Sequence, residues 1–401
     1  MKTMNLRFAA ILLVVILVLS LAACGGGLGG LDGGGKDKDV PAEDIDPAET
    51  MVIPPKYDAV LDFTEGLAAV CLDGKWGFID KAGEEVIPLS YDNAFEFTEG
   101  LAVVELDGKW GYIDKTGAEV LPFIYSAAGV FSEGLATVCI KDLDESGPLK
   151  VFIDKTGAVI TPEYYSSDNF SEGLAIVQHG MMNFCFIDTE GNEVIALSND
   201  SPNRTAEPFS DGLALIYKSL DYEGFIDKTG NMVITFDNPE LLDDVYPFKE
   251  GLARIKYEDD TFGYIDTTGK EVIKLDRGSL SDFSEGLAIA SLSENGWDYG
   301  YIDKTGTVVI DQVYDWAYAF HEGFGGVVLD DKIGFINIAG EVVVPFIYDY
   351  PDPFEVTDEE FLELEFYEME NLSHEFKVSE GMAAVRVDGK WGFIDMAAFM
   401  E

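Results

Sequence analysis

The side chains that could act in acid–base, metal or nucleophilic chemistry are unevenly represented in this chain: 75 Asp and Glu residues stand beside three His and four Cys. The histidines (His179, His321 and His374) are scattered and there is no CxxC, so no Cys/His zinc pattern is present. There is also no Gly-x-Ser-x-Gly, His-Glu-x-x-His, P-loop or dinucleotide fingerprint. Carboxylate pairs are abundant, but so many acids form pairs by chance and no glycosidase dyad stands out. We predict no catalytic residue, no metal site and no cofactor.

The four cysteines do not predict a disulfide framework. Cys71 and Cys139 each follow a repeated Glu-Gly by five residues, in apolar strand-like sequences, and Cys185 replaces a glycine of a second repeated motif. Other repeats place small or apolar residues at these positions, so we predict three buried free thiols. Cys24 belongs to the N-terminal segment and has a different role.

The first 24 residues predict a lipid anchor. Lys2 and Arg7 precede an apolar run from Phe8 to Leu19, and Leu-Ala-Ala-Cys24 follows. This pattern resembles the lipobox of bacterial lipoproteins, which implies a signal peptide over residues 1–23, lipidation of Cys24 and an extracytoplasmic, lipid-anchored location. Two acyl chains suffice for stable anchoring. Residues 24–50 are Gly-rich and predict a flexible tether, and attachment to the membrane is expected through the lipid alone.

The net charge of −49 restricts the partners of this chain. It excludes nucleic acid as a natural ligand and repels anionic lipid headgroups. The hydrophobic fraction of 47% still predicts a folded domain. A highly solvated surface accounts for the charge, and a cationic partner or weak divalent-cation binding are the functional alternatives. Asp142, Asp144, Asp243 and Asp244 are candidate cation contacts, although EF-hand spacing is absent.

Two short motifs recur through the chain. Phe-x-Glu-Gly-Leu-Ala, or a close variant, has its glycine at Gly66, Gly100, Gly134, Gly173, Gly212, Gly251, Gly286, Gly323 and Gly381. Gly-Phe-Ile-Asp, or a variant, ends at Asp80, Asp114, Asp154, Asp188, Asp227, Asp266, Asp303, Asn337 and Asp395. A regular period of this length indicates a repeat architecture. A residue needed nine times is more readily explained by the fold than by a catalytic site, which is assembled once.

Each repeat predicts an antiparallel meander. In residues 66–99 the strand 67–72 is followed by the hairpin turn Asp73-Gly74 and by the strand 75–80. A turn from Asp80 to Gly83 leads to a third strand that begins at Glu84 and is interrupted by Pro88. The following residues 91–97 predict a short fourth strand at the outer edge of the same unit. The fold class is therefore all-β, with three- to four-stranded units.

The sequence Asp-Gly-Lys-Trp-Gly-Phe/Tyr-Ile-Asp occurs at residues 73–80, 107–114 and 388–395. It resembles the WG (KWG) repeat family of bacterial proteins, and the resemblance extends over residues 51–395. Membership implies a β-rich repeat scaffold without a general enzymatic activity. The matching residues are expected to be structural: Trp76, Gly77, Asp80, Trp110, Gly111, Asp114, Trp391, Gly392 and Asp395. The middle repeats lack the tryptophan.

The termini predict how the array ends. Residues 51–58 align without a gap with residues 85–92, whereas the last repeat stops at Asp395 and residues 396–401 form only a short tail. An N-terminal strand that completes the last unit, with Val52 and Ile53 buried, would close a propeller-like ring. The alternative is an open superhelix of β-hairpins.

Residues 351–379 are the largest departure from the repeat and contain ten acidic residues. We take Phe361, Phe366 and Tyr367 as candidate binding residues, and an acidic surface excursion is the alternative. The leading functional hypothesis is a non-catalytic interaction scaffold of the bacterial envelope that binds a protein or an envelope polymer. The alternatives are an envelope-active glycan or peptide hydrolase, with its site at the ring centre or in this insertion, and a weak divalent-cation binder.

Overall fold

The structure is a computed structural model that describes residues 45–139, 149–180, 183–197, 204–218, 221–292, 298–350 and 376–400. All of them belong to the second of the two units into which the chain divides, Ala42–Glu401. The fold is a nine-bladed β-propeller in which each blade is a small antiparallel sheet. This confirms the all-β class and the ring, and it makes the open superhelix wrong.

Within a blade the strands follow chain order from the first strand to the outer strand. The first strands are Ala59–Val60, Asn93–Ala94, Ala127–Ala128, Ser166–Ser167, Arg204–Ala206, Leu242–Lys249, Ser279–Leu280, Trp316–Ala317 and Val378–Ser379. The second strands are Leu67–Leu72, Leu101–Leu106, Leu135–Cys139, Leu174–His179, Leu213–Lys218, Leu252–Tyr257, Leu287–Ser291, Phe324–Leu329 and Met382–Val387. We number the blades 1 to 9 in this order.

The third strands are Lys75–Asp80, Lys109–Asp114, Lys150–Asp154, Asn183–Asp188, Asp221–Asp227, Phe262–Asp266, Tyr299–Asp303, Lys332–Asn337 and Lys390–Asp395. The outer strands are Glu85–Tyr91, Glu119–Tyr125, Glu193–Ala196, Met232–Thr235, Glu271–Leu275, Val308–Tyr314 and Val342–Asp349, with Ile53–Tyr57 in blade 9. In the described part of blade 3, isolated bridges at Tyr164 and Val159 replace the outer strand. Short 3-10 helices span Pro47–Thr50, Pro239–Leu241 and Met396–Phe399.

The N-terminal strand Ile53–Tyr57 closes the ring by pairing antiparallel with the third strand of blade 9, with Ile53 opposite Phe393 and Tyr57 opposite Trp391. The predicted closure is thus confirmed. The burial of Val52 was predicted wrongly: it is 46% exposed, whereas Ile53 is 1% exposed. The residue before the buried aliphatic side chain of an outer strand is exposed in other blades as well, as Val86 and Val120 show at 40% and 41%.

The short fourth segment of each repeat was also assigned to the wrong blade. Asn93–Ala94 pairs with Glu105 and Val104 in the second strand of the next blade. It is therefore the first strand of blade 2 and not an outer edge of blade 1. The repeat in the sequence and the blade in the structure are offset by one strand, which is why the N-terminal strand completes the last blade.

The core lies between blades. In the described residues, buried side chains form clusters that each draw on consecutive blades, such as Phe78 and Ile87 of blade 1 with Phe97 and Ala102 of blade 2. The largest cluster joins blades 8, 9 and 1 and includes Met51, Ile53 and Tyr57. A blade buries its two faces only against its neighbours, so the ring and not the single blade is the folding unit.

Candidate functional site

The phenylalanine of Phe-x-Glu-Gly packs against an aromatic ring in the third strand of the preceding blade. Phe97 contacts Phe78 with ring centroids 4.9 Å apart, and Phe63 contacts Phe393 across the closure at the same distance. Such pairs contribute about 0.5–1.5 kcal/mol each beyond area burial. Equivalent contacts join Tyr112 to Phe131, Phe152 to Phe170, Phe186 to Phe209, Phe225 to Phe248, Tyr264 to Phe283 and Tyr301 to Phe320.

The acid of the same motif is bound to the next blade. The Glu65 carboxylate accepts a hydrogen bond from the Gly100 amide, and Glu380 of blade 9 accepts one from Gly66 of blade 1. The other seven acids do the same, at 2.6–3.2 Å around the circle: Glu99, Glu133, Glu172, Asp211, Glu250, Glu285 and Glu322. These nine acids, hereafter the carboxylate ring, adopt positive φ angles of 51–55°. Such angles cost energy in residues with a side chain and persist where surrounding contacts determine them.

Lysine side chains form ion pairs with five members of the carboxylate ring. Lys155, in the turn after the third strand of blade 3, lies 3.0 Å from Glu99 and donates to the Glu99 carbonyl at 2.7 Å. Burial alone would raise the pKa of Glu99, but hydrogen bonds from Lys155 and from the Gly134 amide outweigh it and hold this pKa below its usual value. The other four such lysines are Lys81, Lys115, Lys228 and Lys304. The corresponding positions in the remaining blades hold Thr189, Thr267, Ile338 and Met396.

The tryptophans predicted as structural lie between blades. Trp76 and Trp391 are buried and pair with Tyr91 and Tyr57 of their own outer strands. Trp110 is half-buried, with its ring 5.6 Å from Phe95. The tryptophans are therefore part of the packing.

The glycine and the aspartate of the WG motif have distinct geometric roles. A Cβ added to Gly77 would lie 2.6 Å from the Ile87 carbonyl oxygen, so glycine permits the outer strand to approach closely. Asp80 Oδ1 accepts from the amides of Ala82 and Glu84, each at 2.9 Å, and so closes the turn. At the equivalent turn of blade 2, hydrogen bonds from the Thr116 hydroxyl and amide lower the pKa of Asp114. The corresponding residues of the other exact matches are Gly111, Gly392 and Asp395.

The two ends of the blades differ in how uniform they are. One end, which we call the repeat face, carries the carboxylate ring and the turns after the third strands, of which Asp80–Gly83 is typical. The other end, the variable face, carries the connections from second to third strands and from outer to first strands. The second-to-third turn is Asp73-Gly74 in blade 1 and Glu258–Thr261 in blade 6. The outer-to-first connection is the single residue Asp92 after blade 1 and residues 236–241 after blade 5.

The variable face also presents exposed apolar side chains. Tyr165, Leu241 and Trp316 are 45%, 56% and 42% exposed, and all three lie in or beside outer-to-first connections. The Trp316 ring contacts the Tyr299 ring at an interplanar angle of 59°, with centroids 4.8 Å apart. Ile338, at 61% exposure, is an apolar residue of the repeat face.

Several predicted sites lie outside the described residues: Cys24, Asp142, Asp144, Phe361, Phe366 and Tyr367. Asp243 and Asp244, the other candidate cation contacts, are engaged by protein groups. Asp243 pairs with Lys256. Asp244 accepts from the hydroxyl of Tyr222 at 2.8 Å and from that of Tyr246 at 2.5 Å.

The three predicted buried thiols are confirmed, since Cys71, Cys139 and Cys185 are free and buried. Cys185 has neighbours that the sequence analysis missed. Ligand atoms of His179, Cys185 and Glu193 all lie within 4.8 Å of one another. Burial, together with the charge of Glu193, raises the pKa of the Cys185 thiol to about 12. The signals available in the sequence were a cysteine in a glycine position and a glutamate at the start of the outer strand.

Comparison with known proteins identifies a family model described as "WG containing repeat". It matches residues 45–76, 76–110, 110–143, 152–180, 224–259, 262–297, 299–332, 333–355 and 374–391, well over half of the chain. No curated protein sequence matches significantly. Among the described residues no helix is long and apolar enough to cross a membrane.

The chain is similar to several solved structures, among them BamB from Moraxella catarrhalis, at 12% identity and a TM-score of 0.34, covering 62% of this chain and 80% of that one. AztD from Citrobacter koseri has 11% identity and a TM-score of 0.36, covering 65% and 81%. Sqt1 from Saccharomyces cerevisiae has 12% identity and a TM-score of 0.37, covering 72% and 94%.

Proposed function

This chain belongs to the WG repeat family, and we propose that it is a lipid-anchored β-propeller scaffold that binds a protein partner of the bacterial envelope through its variable face. The observation that carries the proposal is the contrast between the two faces. One face repeats the same turn after the third strand in eight of the nine blades, whereas the connections on the other face vary in length and residue type. Specific recognition needs residues that differ from blade to blade, because function resides in sites placed on a fold and not in the fold itself.

The repeat motifs support binding and not catalysis as the role. In every blade the motif acid accepts a hydrogen bond from the amide of a glycine in the next blade, as Glu99 does from Gly134 and Asp211 does from Gly251. These nine carboxylates join neighbouring blades, so the acids that recur most regularly in the sequence are accounted for by structure. We therefore propose a non-catalytic protein.

The chemistry of the partner follows from exposed groups and from charge. Tyr and Trp side chains dominate the binding energy of many interfaces, and Tyr165 and Trp316 are exposed on the variable face. A net charge of −49 favours a partner with a basic surface through electrostatic steering and complementarity. We propose that such a protein docks on the variable face.

The proposed location follows from residues 1–24. A positively charged start, an apolar run and Leu-Ala-Ala-Cys24 support export and lipidation. Lipidation would hold the acidic propeller at a membrane surface to which its charge alone does not attract it.

The test compares two exposed apolar residues on opposite faces. Trp316→Ala removes an aromatic side chain from the variable face, and the control Ile338→Ala removes a side chain of greater exposure from the repeat face. Each protein is used to capture partners from envelope extracts, and the affinity for any captured protein is then measured by titration. We expect saturable binding that Trp316→Ala weakens by about 2 kcal/mol or more and that Ile338→Ala leaves intact. Equal effects of both variants, or no saturable partner, would overturn the proposal.

A further inference from the structure

The hairpin register of blade 4 brings His179, Cys185 and Glu193 to one side of the sheet. Cys185 pairs with Val177, so it shares a face with Val177 and with His179 two residues further along the second strand. Ile187, two residues after Cys185, pairs with Glu193 in the outer strand. An irregularity between Phe186 and Ile187 shifts this register, and it places the glutamate on the same face as the thiol.

This side of blade 4 faces blade 3. Val177 and Cys185 belong to the buried cluster that contains Tyr164 of blade 3, and the Tyr164 ring meets the His179 ring edge-on with centroids 4.7 Å apart. Cys185 is 3% exposed, His179 is half-buried and Glu193 is exposed. The three groups therefore lie together at the junction of two blades, with the thiol buried and the carboxylate exposed to solvent.

Blade 6 offers an internal comparison at the same three positions, where it has Tyr257, Gly263 and Glu271. There the Tyr257 hydroxyl donates to Glu271 Oε2 at 2.7 Å. The outer-strand glutamate thus reaches the last residue of the second strand in this fold. In blade 4 the tyrosine is replaced by an imidazole and the glycine by a thiol, which turns a hydrogen-bonded pair into three potential metal ligands.

We propose that His179, Cys185 and Glu193 bind one divalent metal ion of the zinc class. Bond lengths of about 2.0–2.3 Å to nitrogen, oxygen and sulfur give tetrahedral ligand separations of roughly 3.3–3.8 Å. The ligand atoms lie within 4.8 Å of one another, so side-chain rotations that bring them up to about 1 Å closer would complete the site. Neutral imidazole, thiolate and carboxylate balance the charge of a divalent ion, and a fourth position remains for water.

The ligand types select the metal. A thiolate with an imidazole favours Zn²⁺ and its neighbours among the transition metals, whereas Ca²⁺ and Mg²⁺ prefer sites made of oxygen alone. This separates the site from the many carboxylates on the surface of the chain, which can gather hard cations only loosely.

The experiment titrates the purified full-length chain with Co²⁺ in the presence of excess Ca²⁺, so that surface carboxylates are occupied by the hard ion. We expect one equivalent of Co²⁺ to produce a sulfur-to-metal charge-transfer band and tetrahedral visible absorption, both displaced by one equivalent of Zn²⁺. Cys185→Ala should abolish the charge-transfer band. Glu193→Gln is nearly isosteric and lies at the surface, so it should preserve the fold and weaken binding by at least 10–100-fold, the loss typical even for outer-shell partners.

Two matched controls keep the result specific. Cys139→Ala removes another buried thiol, and Glu271→Gln removes the equivalent carboxylate of blade 6; both should retain the spectrum and the affinity. Cys24 is present in every protein, so the charge-transfer band assigned to this site is the difference between the spectra of the wild type and Cys185→Ala. The proposal fails if the charge-transfer band survives in Cys185→Ala, if Glu193→Gln and Glu271→Gln bind equally well, or if Ca²⁺ displaces the bound Co²⁺.

Discussion

Each residue of Phe-Ser-Glu-Gly, one form of the repeated motif, has a contact in a neighbouring blade. In blade 4, the Phe170 ring packs on Phe152 of blade 3, and the Ser171 hydroxyl donates to the Phe209 carbonyl of blade 5 at 2.7 Å. The Glu172 carboxylate accepts from the Gly212 amide of that same blade. The carboxylate-to-glycine hydrogen bond is shared by all nine junctions, so the recurrence of the motif is explained by the contacts between blades.

A charge-dependent prediction follows for one member of the carboxylate ring. Because the pKa of Glu99 is lowered in the folded protein, its contribution to stability is present above its unfolded pKa of 4.5 and is lost as pH falls through the folded pKa. Glu99→Gln keeps an acceptor oxygen but removes the charge. We expect it to lower the free energy of unfolding at pH 7 by at most about 1 kcal/mol, since the pair with Lys155 is partly exposed and screened.

The measurement is denaturant unfolding of wild type and Glu99→Gln between pH 7 and pH 3. The difference between the two proteins should shrink below pH 4.5 and vanish at the acid end. Protonation of the surface acids reduces the electrostatic repulsion within both proteins to the same extent. The difference between their unfolding free energies is therefore free of this effect. A difference that is constant with pH would show that the charge of Glu99 contributes nothing.

Single residues also mark the limit of what spacing in the sequence predicts. The role of the nine acids was inferred correctly as structural from their recurrence alone. The juxtaposition of His179, Cys185 and Glu193 was missed, because it depends on hairpin pairing and on an irregularity in register at Phe186–Ile187. Neither feature appears in a linear ligand pattern such as CxxC.

At the level of elements, the outer strands show where the repeat constrains the backbone. Gly77 in blade 1 and Gly334 in blade 8 leave no space for a Cβ beneath the outer strand, with 2.6 Å and 2.7 Å to the nearest carbonyl oxygen. Val151 occupies this position in blade 3. There the third strand pairs with the described residues of the outer segment only through isolated bridges. The sequence predicted the strands from their turns and β-branched residues, but the offset between repeat and blade required the observed pairing partners.

The closing strand gives a prediction with a built-in control. Ile53 is buried against Phe393 in blade 9, and its side chain lies 3.3 Å from a Cβ placed on Gly83 of blade 1. Ile53→Ala should therefore cost about 2–5 kcal/mol of unfolding free energy, as for other large-to-small core substitutions. The adjacent Val52 is exposed, and Val52→Ala should stay within about 0.5 kcal/mol.

Thermal and denaturant unfolding of the two variants measure this difference. We expect Ile53→Ala to unfold in one cooperative transition at a lower midpoint than the wild type. The loss of stability should affect the entire ring, because the closing cluster joins blades 8, 9 and 1. Equal midpoints for Ile53→Ala and Val52→Ala would mean that the N-terminal strand does not hold the ring closed.

On the scale of the whole molecule, closure and charge act together. The ring is closed by the strand pairing, by the Phe63–Phe393 contact, by the Glu380–Gly66 hydrogen bond and by the Lys390–Asp58 ion pair. Hydrogen bonds from Lys390 and from the Asp73 amide lower the pKa of Asp58 at this junction.

Closure removes the free sheet faces at the two ends of an open array, while the net charge of −49 opposes the close approach of two copies of the molecule. The alignment of the termini predicted closure, but the contrast between the two faces emerged only from the topology.

The last prediction concerns how this acidic propeller is held at a membrane. Because the charge repels anionic headgroups, attachment should rest on acyl chains at Cys24, and two chains are sufficient where one is marginal. We expect the wild type to remain with membranes at high salt, which screens electrostatic binding but not acyl insertion. Cys24→Ala should yield a folded domain that is either released or retained as a longer, unprocessed precursor, while Cys139→Ala should behave as the wild type. Fractionation with size analysis distinguishes these outcomes, and a mature-sized Cys24→Ala band that stays with membranes would refute lipidation at this residue.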